Sequence, residues 1–360
     1  VPGHPDPRAF HRLLPGYAPT PLHDAPALAT HLGLARLSIK DESSRLGLPA
    51  FKILGASWAT YRLLTQRLGH EPAWRDLDDL RAAFAPLGAL TLVAATDGNH
   101  GRAVARMAAL LGYGAHIFVP AGTVDARINA IAREGATVTV VDGRYDDAVT
   151  ASAALASDDV LVVSDTSWPG YTQVPRRVID GYTTIFAEVD EQLAAAAAPP
   201  PDLVFVPMGV GALLASAVEH APEAAIIAAV EPVDAACGYA SAAAGHPVEV
   251  PGPHRSIMVG LNCGNVSILA WPVVESGVDV FVTVTDSDAE DAMRALASAG
   301  IVAGETGAAA LAGLSAVAAV QPDANVGLEL RGRHALVLCT EGATDPVNYE
   351  RIVGHAPAAR

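Results

Sequence analysis

Lysine is almost missing from this chain. Of 23 lysines and arginines in 360 residues, only Lys40 and Lys52 are lysines. Arginine stands wherever a positive charge is enough, but a guanidinium stays protonated and does not serve as a Schiff-base amine. Lys52 lies in the stretch AFKILGA (50–56), among Phe51, Ile53 and Leu54. An apolar frame disfavours the ammonium, which moves the pKa below the ~10.4 of a free lysine and exposes a neutral nucleophile. Lys52 is therefore the candidate for a covalent link to a cofactor aldehyde, although a lysine snorkelling from a helix start accounts for the same stretch without chemistry.

Other absences narrow the class. Basic excess is lacking: the formal net charge of -16 argues against nucleic acid or anionic membrane as a partner and tolerates a cationic substrate. No apolar run reaches the roughly 20 residues of a membrane span. The start, VPGHPDPRAF, has neither a basic region nor a hydrophobic stretch, so a cytoplasmic protein is expected. The three cysteines, Cys237, Cys263 and Cys339, form no C-x-x-C. They read as reduced structural thiols, with a Cys237–Cys263 bridge left open. Twelve histidines show no H-E-x-x-H spacing, and no metal is expected. A G-x-G-x-x-G fingerprint and a Walker lysine are also missing, which argues against a nicotinamide oxidoreductase or a P-loop enzyme.

What is present is material for buried strands, since 51% of the residues are hydrophobic. Short β-rich runs (34–39, 90–96, 116–120, 137–141, 160–165, 203–208, 225–232, 279–284, 334–340) alternate with helical spacing at 54–68, 99–111, 124–134, 146–155, 175–198, 211–220, 286–299 and 306–319. Such alternation predicts an α/β fold with two mostly parallel twisted sheets flanked by helices. Residues 1–33, rich in Pro, His and Gly, read as an arm of turns. A chain of this length exceeds one ordinary core, so two domains are expected.

Four strand-to-helix turns carry chemistry-bearing residues. ATDGNHGRA (95–103) follows a buried-type strand and opens a helix, so backbone N–H groups around Gly98, Asn99 and His100 suit a substrate carboxylate; an N-capping turn is the alternative. MGVGALL (208–214) places Gly209 and Gly211 where a backbone approaches a phosphate, or where a plain tight turn is made. Asp165 in SDTSWPGY (164–171) ends a hydrophobic strand and is placed either for proton transfer or for turn formation. Thr340 in CTEGATD (339–345) offers a hydroxyl to a ring nitrogen, or merely caps a strand end.

The ordered set resembles the pyridoxal-phosphate enzymes of the tryptophan-synthase β fold, fold type II, and most closely the diaminopropionate ammonia-lyases. The likeness runs from Lys40 onward. It is carried by KDESSRLGLPAFKILGAS (40–57), TDGNHGRA (96–103), SDTSWPGY (164–171), MGVGA (208–212), EPVDAAC (231–237), IMVGLNCG (257–264), GETGAA (304–309) and TEGATD (340–345). Asp97, where the broader family commonly has a small residue, and the glycine-poorer GVGA both point to the ammonia-lyase branch.

The resemblance implies pyridoxal 5'-phosphate bound covalently to Lys52 beside Phe51, with Asn99 on the pyridoxal 3'-oxygen. It implies a phosphate cradle from Gly209, Val210, Gly211, Ala212 and Leu213, with Thr340 at the pyridine nitrogen. Thr96, Gly98 and His100 receive the substrate carboxylate, and Asp97 and Asp165 act as the two acids. The implied reaction is α,β-elimination of 2,3-diaminopropionate, with Asp165 serving the L-isomer and Asp97 the D-isomer. A homodimer is implied too, with residues 1–62 and 173–360 as a large cofactor-binding domain and 63–172 as a small mobile one. A serine or threonine dehydratase, or a β-replacement enzyme, shares almost the whole frame. A pyridoxal-phosphate-binding protein without catalysis stands further off, because both acids are present.

Overall fold

The computed structural model of the chain describes residues 6–96, 98–143, 145–320 and 328–358. The chain opens with α1 (Pro7–His11), β1 (Leu22–Asp24), α2 (Pro26–His31) and β2 (Arg36–Asp41). The arm expected to hold only turns thus carries two short helices and an edge strand. Pro7 and Pro26 sit in the first turns of those helices, where a missing N–H costs nothing.

There follow α3 (Lys52–Leu68), α4 (Leu77–Phe84), β3 (Thr91–Ala95), α5 (Asn99–Leu111), β4 (Gly114–Pro120), α6 (Asp125–Ala132) and β5 (Thr137–Val141). After these come α7 (Tyr145–Ala153), β6 (Val160–Val162), α8 (Gln173–Ala195), β7 (Leu203–Pro207), α9 (Ala212–His220), β8 (Ile226–Pro232) and α10 (Cys237–Ala244). The chain ends through α11 (Trp271–Gly277), β9 (Val280–Val284), α12 (Asp286–Ser298), α13 (Glu305–Ala319), β10 (His334–Cys339) and α14 (Pro346–Val353).

Contacts divide the chain into two compact units, residues 1–18 with 45–184 and residues 19–44 with 185–360. The sequence-based division instead kept 1–62 with 173–360. The difference at 45–62 has a local cause: α3 runs unbroken to Leu68 and packs against α5 and α1.

In the first unit a parallel sheet of order β5-β4-β3-β6 is built from Val-, Ile- and Ala-rich strands. Val93 and Ala94 are wholly buried, as central strands of a sheet covered on both faces require. Helix α5 closes at Gly112 in the left-handed conformation, the stop that the sequence announces. Gly55 and Gly181 lie inside helices for a packing reason. A Cβ at 55 would stand 2.6 Å from the Tyr182 ring, and one at 181 would stand 2.5 Å from the Leu54 carbonyl.

In the second unit the order is β1-β2-β10-β7-β8-β9, parallel throughout except for the β1 edge. Every residue of β7 and β10 is buried. Helix α13 is buried along most of its length because its alanines let it sit close to the sheet, and Gly313 meets Val230 where even a methyl would collide.

The second lysine is explained here. Lys40 is completely buried and gives its three N–H groups to Glu188 Oε2 (2.7 Å), Thr20 O (2.8 Å) and Gln192 Oε1 (3.0 Å). Its ammonium is fully partnered, so Lys40 is an internal tie and not an available nucleophile. Lys40→Met strands the Glu188 carboxylate. It should cost roughly 3–5 kcal/mol, read as a lowered urea midpoint at unchanged slope; a midpoint equal to that of the parent would contradict the assignment.

Candidate active site

Lys52 is the first residue of α3, and Asp165 lies three residues beyond the end of β6. The Lys52 Nζ donates to Asp165 Oδ2 at 2.7 Å. The apolar frame expected around Lys52 is thus incomplete. Phe51 stands 5.4 Å from the ammonium and stacks at a tilt on Tyr182, but a buried carboxylate supplies the counter-ion. Burial alone would raise the Asp165 carboxyl; the Lys52 charge and hydrogen bond, joined by the His100 charge whenever that ring is protonated, overcome it and hold the group well below the usual carboxylate range. Opposing this pair, the positive end of α3 disfavours a cation at its first residue.

Three further side chains surround the pair; the sequence assigned no role to Tyr145 or Tyr182, and named His100 only for the substrate carboxylate. The Tyr145 hydroxyl is 3.5 Å from Asp165 Oδ1. Tyr182 is wholly buried, and burial keeps its phenol protonated well above the usual range. His100 is buried with Nδ1 3.8 Å from Asp165 Oδ2. Only the glycines at 55 and 181, interrupting helical stretches, signalled that a large ring would pack there.

The turn before α5 behaves differently from the simplest expectation. Gly98, at φ +153, donates its amide to Thr96 Oγ1 at 2.9 Å, so this N–H is engaged and the buried Thr96 hydroxyl is directed onward. Among the described residues no side chain caps α5. The start of a helix is where a carboxylate is favoured. Asp97 lies outside the described residues.

The second unit holds the other predicted residues. Met208 and Gly209 leave β7, and α9 begins at Ala212 with Gly211 left-handed and no side-chain cap. Ser267 N donates to Val210 O at 2.9 Å and fixes the turn. A Cβ at Gly209 would stand 3.1 Å from Cys263 Sγ and 3.2 Å from Gly260 O, so a side chain here would press on both and require them to give by a few tenths of an ångström. First-turn N–H groups at the start of a helix left uncapped over a glycine turn suit a dianionic phosphate. Thr340, buried directly after β10, donates to Thr306 O at 3.3 Å. All three cysteines are free thiols. Among the described residues no cluster of three His, Cys, Asp or Glu could hold a metal ion, and no helix is long and apolar enough to cross a membrane.

The first unit holds an amine against a buried acid, and the second holds a helix start that no side chain caps behind a glycine turn; each by itself is a feature that a phosphorylated aldehyde cofactor uses. The chain belongs to the pyridoxal-phosphate dependent enzymes, whose family model matches residues 13–332. Within that family it is 35% identical to a diaminopropionate ammonia-lyase of Salmonella typhimurium, over 98% of this chain and 92% of the relative. The crystal structure of diaminopropionate ammonia-lyase from Escherichia coli in complex with D-serine superposes with a TM-score of 0.89 at 34% identity, covering 96% of this chain and 90% of that one. The same Escherichia coli enzyme in complex with an aminoacrylate-PLP azomethine reaction intermediate superposes at 0.84 and 33% identity, with the same coverage.

Beneath the glycine turn, Glu231 at the end of β8 accepts from the amides of Gly238 and Tyr239, both at 2.7 Å, and so holds the start of α10. Cys237 on that start reaches toward Gly209 O at 3.8 Å, and burial pushes its thiol well up, leaving it inert. Burial also pushes Glu231 up to about 7 from 4.5, despite the two amides. The folded protein therefore holds this proton more tightly than the unfolded chain, so stability is present below the unfolded value and is lost as pH rises toward the folded one. Between pH ~5 and ~8 the loss should reach ~3 kcal/mol, and Glu231→Gln should flatten the slope. Urea unfolding at the two pH values checks this; an unchanged slope in the variant would contradict it.

Proposed function

We propose that the chain catalyses α,β-elimination of 2,3-diaminopropionate to pyruvate and two ammonia. The observation that carries the reading is the 2.7 Å pair of Lys52 and Asp165, an amine and a buried acid with no competing lysine available. When bound, pyridoxal phosphate supplies an aldehyde that takes the amine and a ring that absorbs the electrons released at the α-carbon.

The residues divide the remaining work. Lys52 is the nucleophile that would hold the cofactor and that the substrate α-amine would displace. Asp165 takes the α-proton of the L-isomer, and Asp97 that of the D-isomer. The amides of Asn99 and His100, with the Thr96 hydroxyl, fix the substrate carboxylate, while the Asn99 side chain meets the pyridoxal 3'-oxygen. The backbone from Gly209 to Leu213 holds the phosphate.

Thr340 would stand at the pyridine nitrogen. A neutral hydroxyl there leaves the ring less electron-withdrawing than an aspartate partner would, which favours prompt loss of a β-substituent. The β-ammonium departs as neutral ammonia, and the released enamine is hydrolysed to pyruvate and the second ammonia. The acids favour a substrate with an additional ammonium group over serine or threonine, which offer only a hydroxyl. A cytoplasmic homodimer completes the proposal, and sedimentation at working concentration tests its size.

Pyruvate formation from L- and D-diaminopropionate, serine and threonine side by side tests the substrate. Turnover of L-serine with none of either diaminopropionate isomer would overturn it. Asp165→Asn should lower turnover of the L-isomer by about 100-fold or more and spare the D-isomer, and Asp97→Asn should do the reverse. Equal losses on both isomers in either variant would remove the two-acid assignment.

A further inference from the structure

His100 stands in an unusual position for a histidine. It is 2% exposed, and its Nε2 lies 2.8 Å from the Val163 carbonyl. A carbonyl only accepts, so Nε2 must carry the hydrogen. Nδ1 of the neutral ring then presents a lone pair. That atom is buried, has no hydrogen-bond partner, and lies 3.8 Å from Asp165 Oδ2. Two acceptors face one another there, and 3.8 Å is beyond hydrogen-bond reach. Burial pushes the imidazole below its ordinary value, against the attraction of Asp165 and with the repulsion of Lys52. A neutral ring leaves Lys52 as the cation that holds Asp165 ionised.

We propose that His100 is the positioning residue that sets the proton affinity of Asp165, its Nδ1 lone pair accepting the carboxylic O–H once Asp165 has taken a proton. The proposal rests on the elimination described above. In that step the substrate Cα–H bond breaks, its proton joins Asp165 Oδ2, and its electron pair forms the Cα–Cβ double bond as the β-ammonium takes the C–N pair and leaves as neutral ammonia. Lys52, joined to the cofactor and then freed from it as a neutral amine by the substrate, no longer offers Asp165 the ammonium that favours its charged form. The lone pair of His100 then penalises the carboxylate and rewards the acid, which makes Asp165 a stronger base when it is needed. The proton stays on Asp165 and returns to Lys52 or to water on product release.

The other titratable groups around the pair do not supply this function. Tyr145 is at the opposite carboxylate oxygen. Tyr171 gives its hydroxyl hydrogen to Val162 O at 2.8 Å and accepts from Ser164 N at 3.0 Å, so its oxygen is committed. Burial holds the phenols of Tyr171 and Tyr182 protonated. Asp97 lies outside the described residues.

Two variants separate the lone pair from the fold. In His100→Gln the amide reaches the Nε2 position and retains the Val163 bond but leaves nothing at Nδ1. In His100→Asn an amide oxygen stands at the Nδ1 position. For the L-isomer, His100→Gln should move the acid limb of the kcat/KM profile down by about one pH unit and lower kcat about tenfold, with KM little changed. His100→Asn should keep the limb near that of the parent. Coincident limbs in parent and His100→Gln, or equal shifts in the two variants, would overturn the proposal.

A readout independent of turnover is histidine 15N NMR of the holoenzyme, with the His100 signals identified by their loss in either variant. Nε2 should be protonated and Nδ1 bare from pH ~6 to ~9, without the titration near ~6.5 of an ordinary histidine. Asp165→Asn, which places an N–H donor opposite Nδ1, should shift the Nδ1 resonance into the hydrogen-bonded range. A protonated Nδ1, or an Nδ1 signal indifferent to Asp165→Asn, would sink the pairing. If the parent does not turn over diaminopropionate, the elimination reading fails by itself and the NMR result still decides the pairing.

Discussion

An ammonium and a carboxylate 2.7 Å apart form the constraint around which the first unit is arranged. Burial penalises the Asp165 carboxylate, and the ammonium beside it keeps that carboxylate ionised. Helices α3 and α8 approach closely at Gly55 and Gly181, and the buried Tyr182 ring packs against Phe51 beside the pair.

The second unit contributes through backbone more than through side chains. Its glycine turn has no lysine or arginine, and no side chain caps the start of α9 that follows. A Cβ at Gly209 would press on Gly260 and Cys263. A helix start of this kind can receive an anion without a basic side chain, in a chain of net negative charge.

Much of the architecture was legible because parallel sheets buried on both faces leave continuous apolar runs. The strand at 137–141 and the helix at 99–111 have the bounds that the pattern predicts. The elements that escaped are short and held by tertiary contacts, such as β1, α2 and α10, where local propensity carries little information. Strand β6 ends at Val162, before the polar residues, so Asp165 stands on a loop and not at a strand end. The amine, the acid and the glycine turn were readable because each departs from its surroundings. The buried lone pair of His100 was not, because which ring nitrogen carries a hydrogen depends on a carbonyl 63 residues away in sequence.

That only two lysines exist makes the central claim unusually easy to test. Borohydride reduction of the reconstituted protein, followed by peptide mapping, distinguishes Lys52 from the buried Lys40 in one experiment. The account predicts a stable pyridoxyl group on the peptide containing Lys52 and none on that containing Lys40. A label on Lys40, or a protein that takes up no label, would contradict it.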